Sequence, residues 1–186
     1  MPSLTQPFGC IRPGGPVAYR HRHAMPVEIR PAAPADLPDL ADLCVAAYAP
    51  FLAENHHYVA ALRDVEQRAA VAELLVAAAP ADGRVLGTLT FVPDGGPLGE
   101  IAGPRESEFR MLAVDPAGQG RGVGTALTRH VLDESRRRGK DAVVCSSLPA
   151  MRAAHRIYER LGFRRVPERD WSPVPGVDLV TFAIAL

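Results

Sequence analysis

The run Gln119-Gly120-Arg121-Gly122-Val123-Gly124-Thr125 has the composition and spacing of a phosphate-binding turn. It follows an apolar run at 109–114 and precedes a long amphipathic segment, so a strand is expected to turn through glycines into a helix. Backbone N–H groups at a helix start lie at the positive end of the helix dipole and bind phosphate oxygens without a lysine. The only lysine, Lys140, lies a whole predicted helix away. The run therefore predicts a diphosphate site built from backbone amides and Arg121.

Two familiar phosphate motifs do not fit these residues. A P-loop needs G-x-x-x-x-G-K-[ST], and no glycine here precedes Lys-Ser or Lys-Thr in that frame. A dinucleotide fingerprint needs G-x-G-x-x-G, and the sixth position counted from Gly118, Gly120 or Gly122 is not glycine. What remains is Q-x-x-G-x-G, with Val114-Asp115-Pro116 shortly before it. The plain alternative is a flexible glycine turn.

This pattern resembles the acetyl-CoA signature of the GNAT superfamily of N-acetyltransferases. A second stretch, at 153–163, is similar to the family's later helix, A-x-x-x-Y-x-x-x-G-F, with Tyr158 as the tyrosine. The resemblance covers residues 26–186 and implies acetyl-CoA as acyl donor and a primary amine of a small molecule or peptide as acceptor. It also implies direct transfer, without a covalent acyl-enzyme. Many relatives have asparagine seven residues before the tyrosine, where this chain has Met151.

The resemblance assigns two catalytic roles. Tyr158 would protonate the departing thiolate, since a phenol with a pKa near 10 is still protonated at neutral pH; the alternative is a packing role. Glu108 stands eleven residues before Gln119, the offset of the catalytic glutamate in the histone-modifying branch, and would act as general base. Glu106 and Glu100 are its rivals. Strand alternation would place Glu108 on one face with Arg110, Leu112 and Val114.

The cofactor site that the resemblance implies consists of a strand end, a loop and part of a later helix. Its residues are Leu112, Ala113, Val114, Gln119, Gly120, Arg121, Gly122, Val123, Gly124, Thr125, His155 and Tyr158. The strand end would pair with the pantetheine arm, and the Leu112 N–H would stabilise the tetrahedral oxyanion. Arg121 would lie near the pyrophosphate. His155 would line the groove or serve as a partly exposed packing residue.

The segments that must position these residues follow from periodicity. Strands are predicted at 27–31, 85–92, 106–114, 141–147, 163–166 and 178–186, and helices at 36–48, 54–79, 123–138 and 149–162. Segment 97–105 is a weak strand or a loop, and 167–176 is a proline-rich loop. The fold class is α/β (α+β): a mixed sheet of about six to seven strands with about four helices. In the family this sheet contains a splayed slot for the cofactor.

Composition limits the other function classes. Equal numbers of basic and acidic residues, 21 each, argue against a broad surface for nucleic acid or anionic lipid. Cys10, Cys44 and Cys145 are odd in number and far apart, as is typical of thiols in a reducing compartment rather than of a zinc site. No apolar run is long enough for a membrane span or a signal peptide. We therefore expect a cytoplasmic protein without a metal, with homodimerisation left open.

Residues 1–25 are expected to form a flexible N-terminal extension to one acetyltransferase domain at 26–186. Two other functions stay open at this point. One is a non-catalytic acyl-CoA-binding regulatory module on the same fold, and the other is an acetyltransferase for protein N-termini or lysines. Trp171 and the helical segments between 36 and 79 are expected to border the acceptor site.

Overall fold

The computed structural model describes residues 17–19, 26–52 and 56–186, whose centre is a mixed β-sheet. The strands in chain order are β1 (Val17–Tyr19), β2 (Val27–Pro31), β3 (Glu73–Ala78), β4 (Val85–Val92), β5 (Glu106–Val114), β6 (Ala142–Ser147), β7 (Arg164–Arg165), β8 (Trp171–Val174) and β9 (Val177–Ala185). The helices are α1 (Leu37–Tyr48), α2 (His56–Arg63), α3 (Val65–Val71), α4 (Val123–Arg137) and α5 (Arg152–Leu161).

Neighbouring strands follow the order β1-β2-β3-β4-β5-β6-β9-β7, and β8 pairs with β9 outside that path. The pair β5–β6 is parallel, and the other pairings are antiparallel. Two parallel neighbours need a crossover connection, which α4 supplies here. The predicted mixed sheet is confirmed, with more strands and one more helix than expected. No helix of the described residues is both long and apolar enough to cross a membrane.

The helices cover the two faces of the sheet in separate layers. Side chains of α4 and α5 pack with Leu75, Phe91 and Phe109 on one face. Side chains of α1, α2 and α3 pack on the other face, where Leu74 and Val76 of β3 meet α1 and α3. The alternation of β3 between the two layers shows that this strand is buried on both sides.

The prediction of one helical region at 54–79 is wrong at its C-terminal end. The chain forms α2 and α3 and then enters strand β3, which contains Leu75 and Val76. A strand buried on both faces lacks polar alternation, so its run of apolar residues has the same appearance as a buried helix. Asp64, whose carboxylate accepts from the Gln67 N–H at 3.2 Å, caps α3 and separates it from α2.

Two smaller predictions also need correction. Pro149 lies in a turn before α5 rather than in its first helical turn. Segment 167–176 is not a plain loop, because it contains a 3-10 turn at Pro167–Arg169 and the strand β8. The segment at 97–105 is a loop.

Part of the expected N-terminal extension contributes to the sheet, because β1 pairs with β2 through Val17↔Ile29 to Tyr19↔Val27. Residues 1–16 and 20–25, which include Cys10, lie outside the described residues. The proposed division at residue 25 stays a prediction.

Candidate active site

Strands β5 and β6 separate in the middle of the sheet. Their parallel pairing runs from Glu106↔Ala142 to Glu108↔Val144 and then stops, although β5 continues to Val114 and β6 to Ser147. The two strands therefore diverge beyond Glu108 and open a slot. The predicted splay of these strands is confirmed.

A β-bulge in β5 lies beside this slot. Thr90 of β4 opposes Arg110, but Thr88 opposes Ala113, so one extra residue is inserted in β5 between these pairs. Met111 in this bulge has φ +53°, a left-handed conformation that costs about 1–3 kcal/mol for a non-glycine residue. Such strain persists where the surrounding fold holds it, and it is common at functional sites.

The bulge overturns the prediction that Glu108, Arg110, Leu112 and Val114 share one face. Leu112 and Val114 pack on the α4 side, where their side chains approach Gly124. Arg110, by contrast, is the cross-strand partner of Thr90, whose hydroxyl contacts Arg68 of α3 on the opposite face. The extra residue reverses the alternation of side chains along β5. Arg110, before the bulge, therefore points to the α1–α3 layer, whereas Leu112 and Val114, after it, point to the α4 layer.

The glycine run between β5 and α4 is held by short-range hydrogen bonds. The Asp115 carboxylate accepts from the Ala117 N–H at 2.7 Å, and the Gln119 side-chain amide donates to the Val114 carbonyl at 3.3 Å. Gly120 and Gly122 have φ of +70° and +86°, which only glycine adopts readily. Gly122 is the N-cap of α4, and no side chain in the described residues caps that helix. The first-turn amides of α4 are thus left for an external acceptor.

The predicted cofactor residues at 119–125 do not all have the same surroundings. Arg121 is exposed, with a 3.5 Å contact from its Nη1 to the Ala117 carbonyl. Val123 is buried in the core. A Cβ on Gly124 would lie 2.9 Å from Ile157 Cδ1, so glycine there lets α5 approach α4 closely. Packing alone explains why these last two positions are small and apolar.

Tyr158 projects from α5 into the sheet beside the slot. Its ring is 4% exposed and meets Phe109 edge-on, with the ring centroids 5.6 Å apart. Burial, and after it the neighbouring Cys145, raise the pKa of Tyr158 well above its ordinary value. Cys145, on β6, is also buried, and burial raises its pKa too. Both groups therefore stay protonated at neutral pH.

His155 is more deeply buried than the packing alternative implied. Its Nε2 lies 3.2 Å from the Ser147 hydroxyl, and its ring centroid lies 4.9 Å from that of Phe182. Burial lowers the pKa of His155, so the neutral imidazole is favoured at pH 7. Its predicted contact with the cofactor stays a prediction.

Glu108 is fully buried at the point where the slot opens. Its Oε2 accepts from the backbone N–H groups of Glu100, Ile101 and Ala102 at 2.9, 3.0 and 3.1 Å. Its Oε1 has no hydrogen-bond partner among the described residues. Glu108 therefore neither pairs with Arg110 nor stays solvated, which were the two structural alternatives to catalysis. One carboxylate oxygen anchors the loop at 100–102, and the other is left free to accept.

The rival Glu106 has a different role. Its carboxylate lies 2.7 Å from Arg169 Nη2 and accepts from the Gly103 N–H at 2.8 Å. The hydrogen bond from Arg169 holds the pKa of Glu106 below its ordinary value. Arg169 also donates to the Ile101 carbonyl, so this pair ties the loop to the 3-10 turn at Pro167–Arg169.

Replacing Arg169 with glutamine should lower the free energy of unfolding by about 1–2 kcal/mol at pH 7, because the pair is partly shielded from solvent. A carboxyl whose folded pKa is depressed stabilises the fold above its unfolded pKa and loses that contribution as pH falls through the folded value. The deficit of the variant should therefore shrink below about pH 4. Urea unfolding at pH 7 and pH 3.5 measures it, and a deficit that is constant with pH would contradict the assignment.

The residues that sequence reasoning missed lie on the α1–α3 side of the slot. Tyr48 and Tyr58 contact each other with ring centroids 5.8 Å apart. Burial raises the pKa of Tyr48, and the phenols of Tyr58 and Tyr158 add to the shift. Arg110 and Glu100 form a salt bridge of 2.7 Å on the same side. No short motif marks Tyr48 and Tyr58, and the four residues come from four separate segments: α1, α2, the loop at 97–105 and β5.

The arrangement suits transfer of an acyl group held in the slot. An open stretch of β5 backbone, an uncapped helix start and a protonated phenol are the groups that such chemistry uses. The described part of the chain has no group of three or more His, Cys, Asp or Glu arranged to hold a metal ion.

Known proteins similar to this chain include two kinds of curated relative. An N-acetylaspartate synthetase of Danio rerio is 39% identical over 70 residues, which are 38% of this chain and 25% of the relative. A mycothiol acetyltransferase of Thermobispora bispora is 41% identical over 70 residues, which are 38% of this chain and 21% of the relative. The matched part of the chain thus spans about a quarter of the length of these relatives.

The fold is similar to that of solved acetyltransferases. A GCN5-related N-acetyltransferase from Kribbella flavida is 27% identical, with a TM-score of 0.62 over 86% of this chain and 98% of that one. The model of the acetyltransferase (GNAT) family matches residues 37–163. That match covers more than half of the chain and includes the slot, the glycine run and all of α5. This protein therefore belongs to the acetyltransferase (GNAT) family of acyltransferases.

Proposed function

We propose that this protein transfers an acetyl group from acetyl-CoA directly to a primary amine of a small molecule or peptide. The observation that carries the proposal is the divergence of β5 from β6 at Glu108. From that point β5 runs with a free edge to the uncapped start of α4, and Tyr158 lies beside the opening through its contact with Phe109.

The donor would bind along this free edge. The amides of Gly120 and of residues 122–125 would hold the pyrophosphate, with Arg121 adding charge from the exposed side. The pantetheine arm would pair with the backbone of Leu112, Ala113 and Val114 as an added strand. The Leu112 N–H would donate to the thioester oxygen as it becomes an oxyanion. The bulge supports the assignment of the Leu112 N–H, because it leaves Met111 and Leu112 out of regular pairing with β4, while Ala113 and Val114 stay paired with Thr88 and Gly87.

In the reaction, the amine nitrogen attacks the thioester carbon, and the carbon–sulfur bond then breaks. Tyr158 gives its proton to the departing thiolate and regains it from solvent. Glu108 accepts a proton from the attacking amine through a water at Oε1, the oxygen that lacks a protein partner. The raised pKa of Cys145 leaves almost no thiolate at pH 7, which disfavours a covalent acyl-cysteine route. The name N-acetylaspartate synthetase describes an acetylated amino acid, which favours a small amine as acceptor here.

A thiol-release assay tests this function. Acetyl-CoA and the full chain are incubated with amino acids, polyamines, aminoglycosides and short peptides, and free CoA is measured. Release with small amines supports the proposal, and release with peptides alone would favour a protein N-terminal or lysine acetyltransferase. Binding of CoA without release across the panel would favour a non-catalytic module.

Replacing Gly120 with valine should weaken CoA binding about 10-fold, because a β-branched residue strains the left-handed turn and redirects its amides. Gly139→Val is the matched control. Gly139 has φ +66° at the opposite end of α4, and, as at Gly120, no atom lies within 4 Å of a built Cβ. Both variants should lose similar stability, and calorimetry should show weaker CoA binding for Gly120→Val alone. Equal CoA affinities in the two variants would argue against the loop as the phosphate site.

A further inference from the structure

An arginine that has no carboxylate partner among the described residues is buried between β4 and the helices α1 and α2. Arg68 of α3 is 2% exposed. It donates to the Thr90 hydroxyl at 3.2 Å and the Leu62 carbonyl at 2.9 Å, and its Nη2 lies 3.4 Å from Cys44 Sγ. Its Nε has no hydrogen-bond partner within the residues that the structure describes. These three partners are neutral, so this part of the described structure offers the buried guanidinium no carboxylate.

A second arginine lies beside it, nearer to solvent. Arg110 is the cross-strand partner of Thr90, the residue that Arg68 contacts. Its Nη2 pairs with Glu100 at 2.7 Å and its Nη1 donates to the Leu98 carbonyl at 3.1 Å. The side chains of Arg110 and Glu100 are 14% and 27% exposed. A guanidinium has five N–H donors, so Arg110 can accept a further ligand without losing these contacts.

Arg68, Arg110 and Glu100 all influence the pKa of one side chain, Tyr58. Burial raises the pKa of Tyr58; Arg110 and Arg68 oppose that shift, and Glu100 adds to it. The geometry agrees, because Arg68 contacts the Thr90 hydroxyl, Arg110 lies opposite Thr90 in β5, and Glu100 pairs with Arg110. Glu108, two residues before Arg110 on β5, accepts hydrogen bonds from the amides of residues 100–102.

Two guanidinium groups thus lie close together in a partly buried place, where Glu100 pairs with Arg110 and no described carboxylate pairs with Arg68. Burying uncompensated charge is costly, and a ligand that brings one negative charge removes that cost. A carboxylate suits the planar fork of arginine better than other small anions of unit charge. Arg110 directly precedes the bulge at Met111, so a carboxylate on Arg110 lies close to the reacting end of the slot.

On the basis of the proposed function, we propose that the acceptor is an amine that also carries a carboxylate, such as an amino acid, and that Arg110 binds this carboxylate. Arg68 supports the site from below through its charge. The amine of such an acceptor, a few bonds away from its carboxylate, reaches the thioester from the α1–α3 side of the sheet. Glu100 holds Arg110 in place while the acceptor is absent.

Matched pairs of amines test the proposal with the full chain and acetyl-CoA. Each pair differs only in the carboxylate: alanine and ethylamine, tyrosine and tyramine, lysine and cadaverine. The wild-type protein should prefer the carboxylate-bearing member of at least one pair by about 10- to 100-fold in kcat/KM. Arg110→Gln should reduce that preference to about 1, mainly through KM, with CoA affinity measured by calorimetry unchanged.

Two further variants keep the test decisive. Arg105→Gln, at an exposed pair with Asp141, removes a guanidinium elsewhere and should leave the preference intact. Arg110→Lys keeps the charge but loses the fork, so it should recover only part of the preference. Arg110→Lys also replaces Arg110→Gln as the test variant if thermal melting shows that Arg110→Gln is unfolded. A wild-type protein that acetylates both members of every pair equally, or an Arg110 variant that retains the full preference, would overturn the proposal. Absence of transfer to any amine would instead refute the proposed function on which it rests.

Discussion

Replacing Tyr158 with phenylalanine is expected to lower kcat at least about 100-fold, because positioned general acids contribute about 10²–10⁴ to the rate. The ring would keep its edge-on contact with Phe109, so folding and CoA affinity should change little. Timed assays of CoA release measure the effect on turnover, and calorimetry of CoA binding measures the effect on affinity. A variant that keeps full turnover across the pH range would show that Tyr158 only packs.

The pH dependence of kcat gives a second test of Tyr158. Burial raises the pKa of Tyr158, and a raised phenol pKa means that the proton is retained to higher pH. The wild-type rate should therefore show no alkaline loss from this residue below about pH 10. A fall in kcat between pH 7 and 9 that disappears in Tyr158→Phe would contradict this direction.

Cys145→Ala is the matched control for Tyr158. It removes the thiol that shares a hydrogen bond with the Tyr158 hydroxyl but keeps the phenol itself. Because the proposed reaction forms no acyl-cysteine, this variant should retain most of the wild-type rate. Mass spectrometry of the wild-type protein after incubation with acetyl-CoA alone should likewise show no acetylated Cys145.

Replacing Glu108 with glutamine is expected to lower kcat/KM about 100-fold, since an amide cannot accept a proton from the amine. Its side-chain oxygen can still accept from the amides of Glu100, Ile101 and Ala102, so the loop should keep its place. The melting temperature and CoA affinity should therefore stay near the wild-type values. Full activity in this variant would remove Glu108 as the base.

Two comparisons separate catalysis from loop anchoring. Glu108→Ala removes the charge and also the acceptor for three amides, so it should lose about 2–4 kcal/mol of stability as well as activity. Glu106→Gln alters the neighbouring glutamate, which pairs with Arg169, and should retain the catalytic rate. If Glu106→Gln and Glu108→Gln lower the rate equally, the effect lies in the loop rather than in proton transfer.

The elements around the glycine run could be predicted because their signals are local. Gly122 at the α4 start and Gly162 at the α5 end adopt the left-handed conformations that glycine favours, and α4 presents its regular apolar face. The strand β5 and the buried position of Cys145 followed from apolar runs of strand length. These features each depend on a few consecutive residues.

The features that could not be predicted depend on contacts between distant segments. Strand β3 shows only a run of apolar residues, which acquires strand geometry through pairing with β2 and β4. The bulge at Met111 has no glycine to mark it, and one inserted residue reverses the faces of Leu112 and Val114. The grouping of Arg68 with Arg110 beside Tyr58 requires the packing of α3 and α2 on β4 and β5.

Calorimetric titration of coenzyme A into the full chain tests whether the slot between β5 and β6 and the amides at 119–125 bind the donor. We expect one CoA bound per chain, with affinity reduced in Gly120→Val and unchanged in Gly139→Val. Absence of any binding heat, under conditions where circular dichroism shows a folded protein, would contradict this expectation.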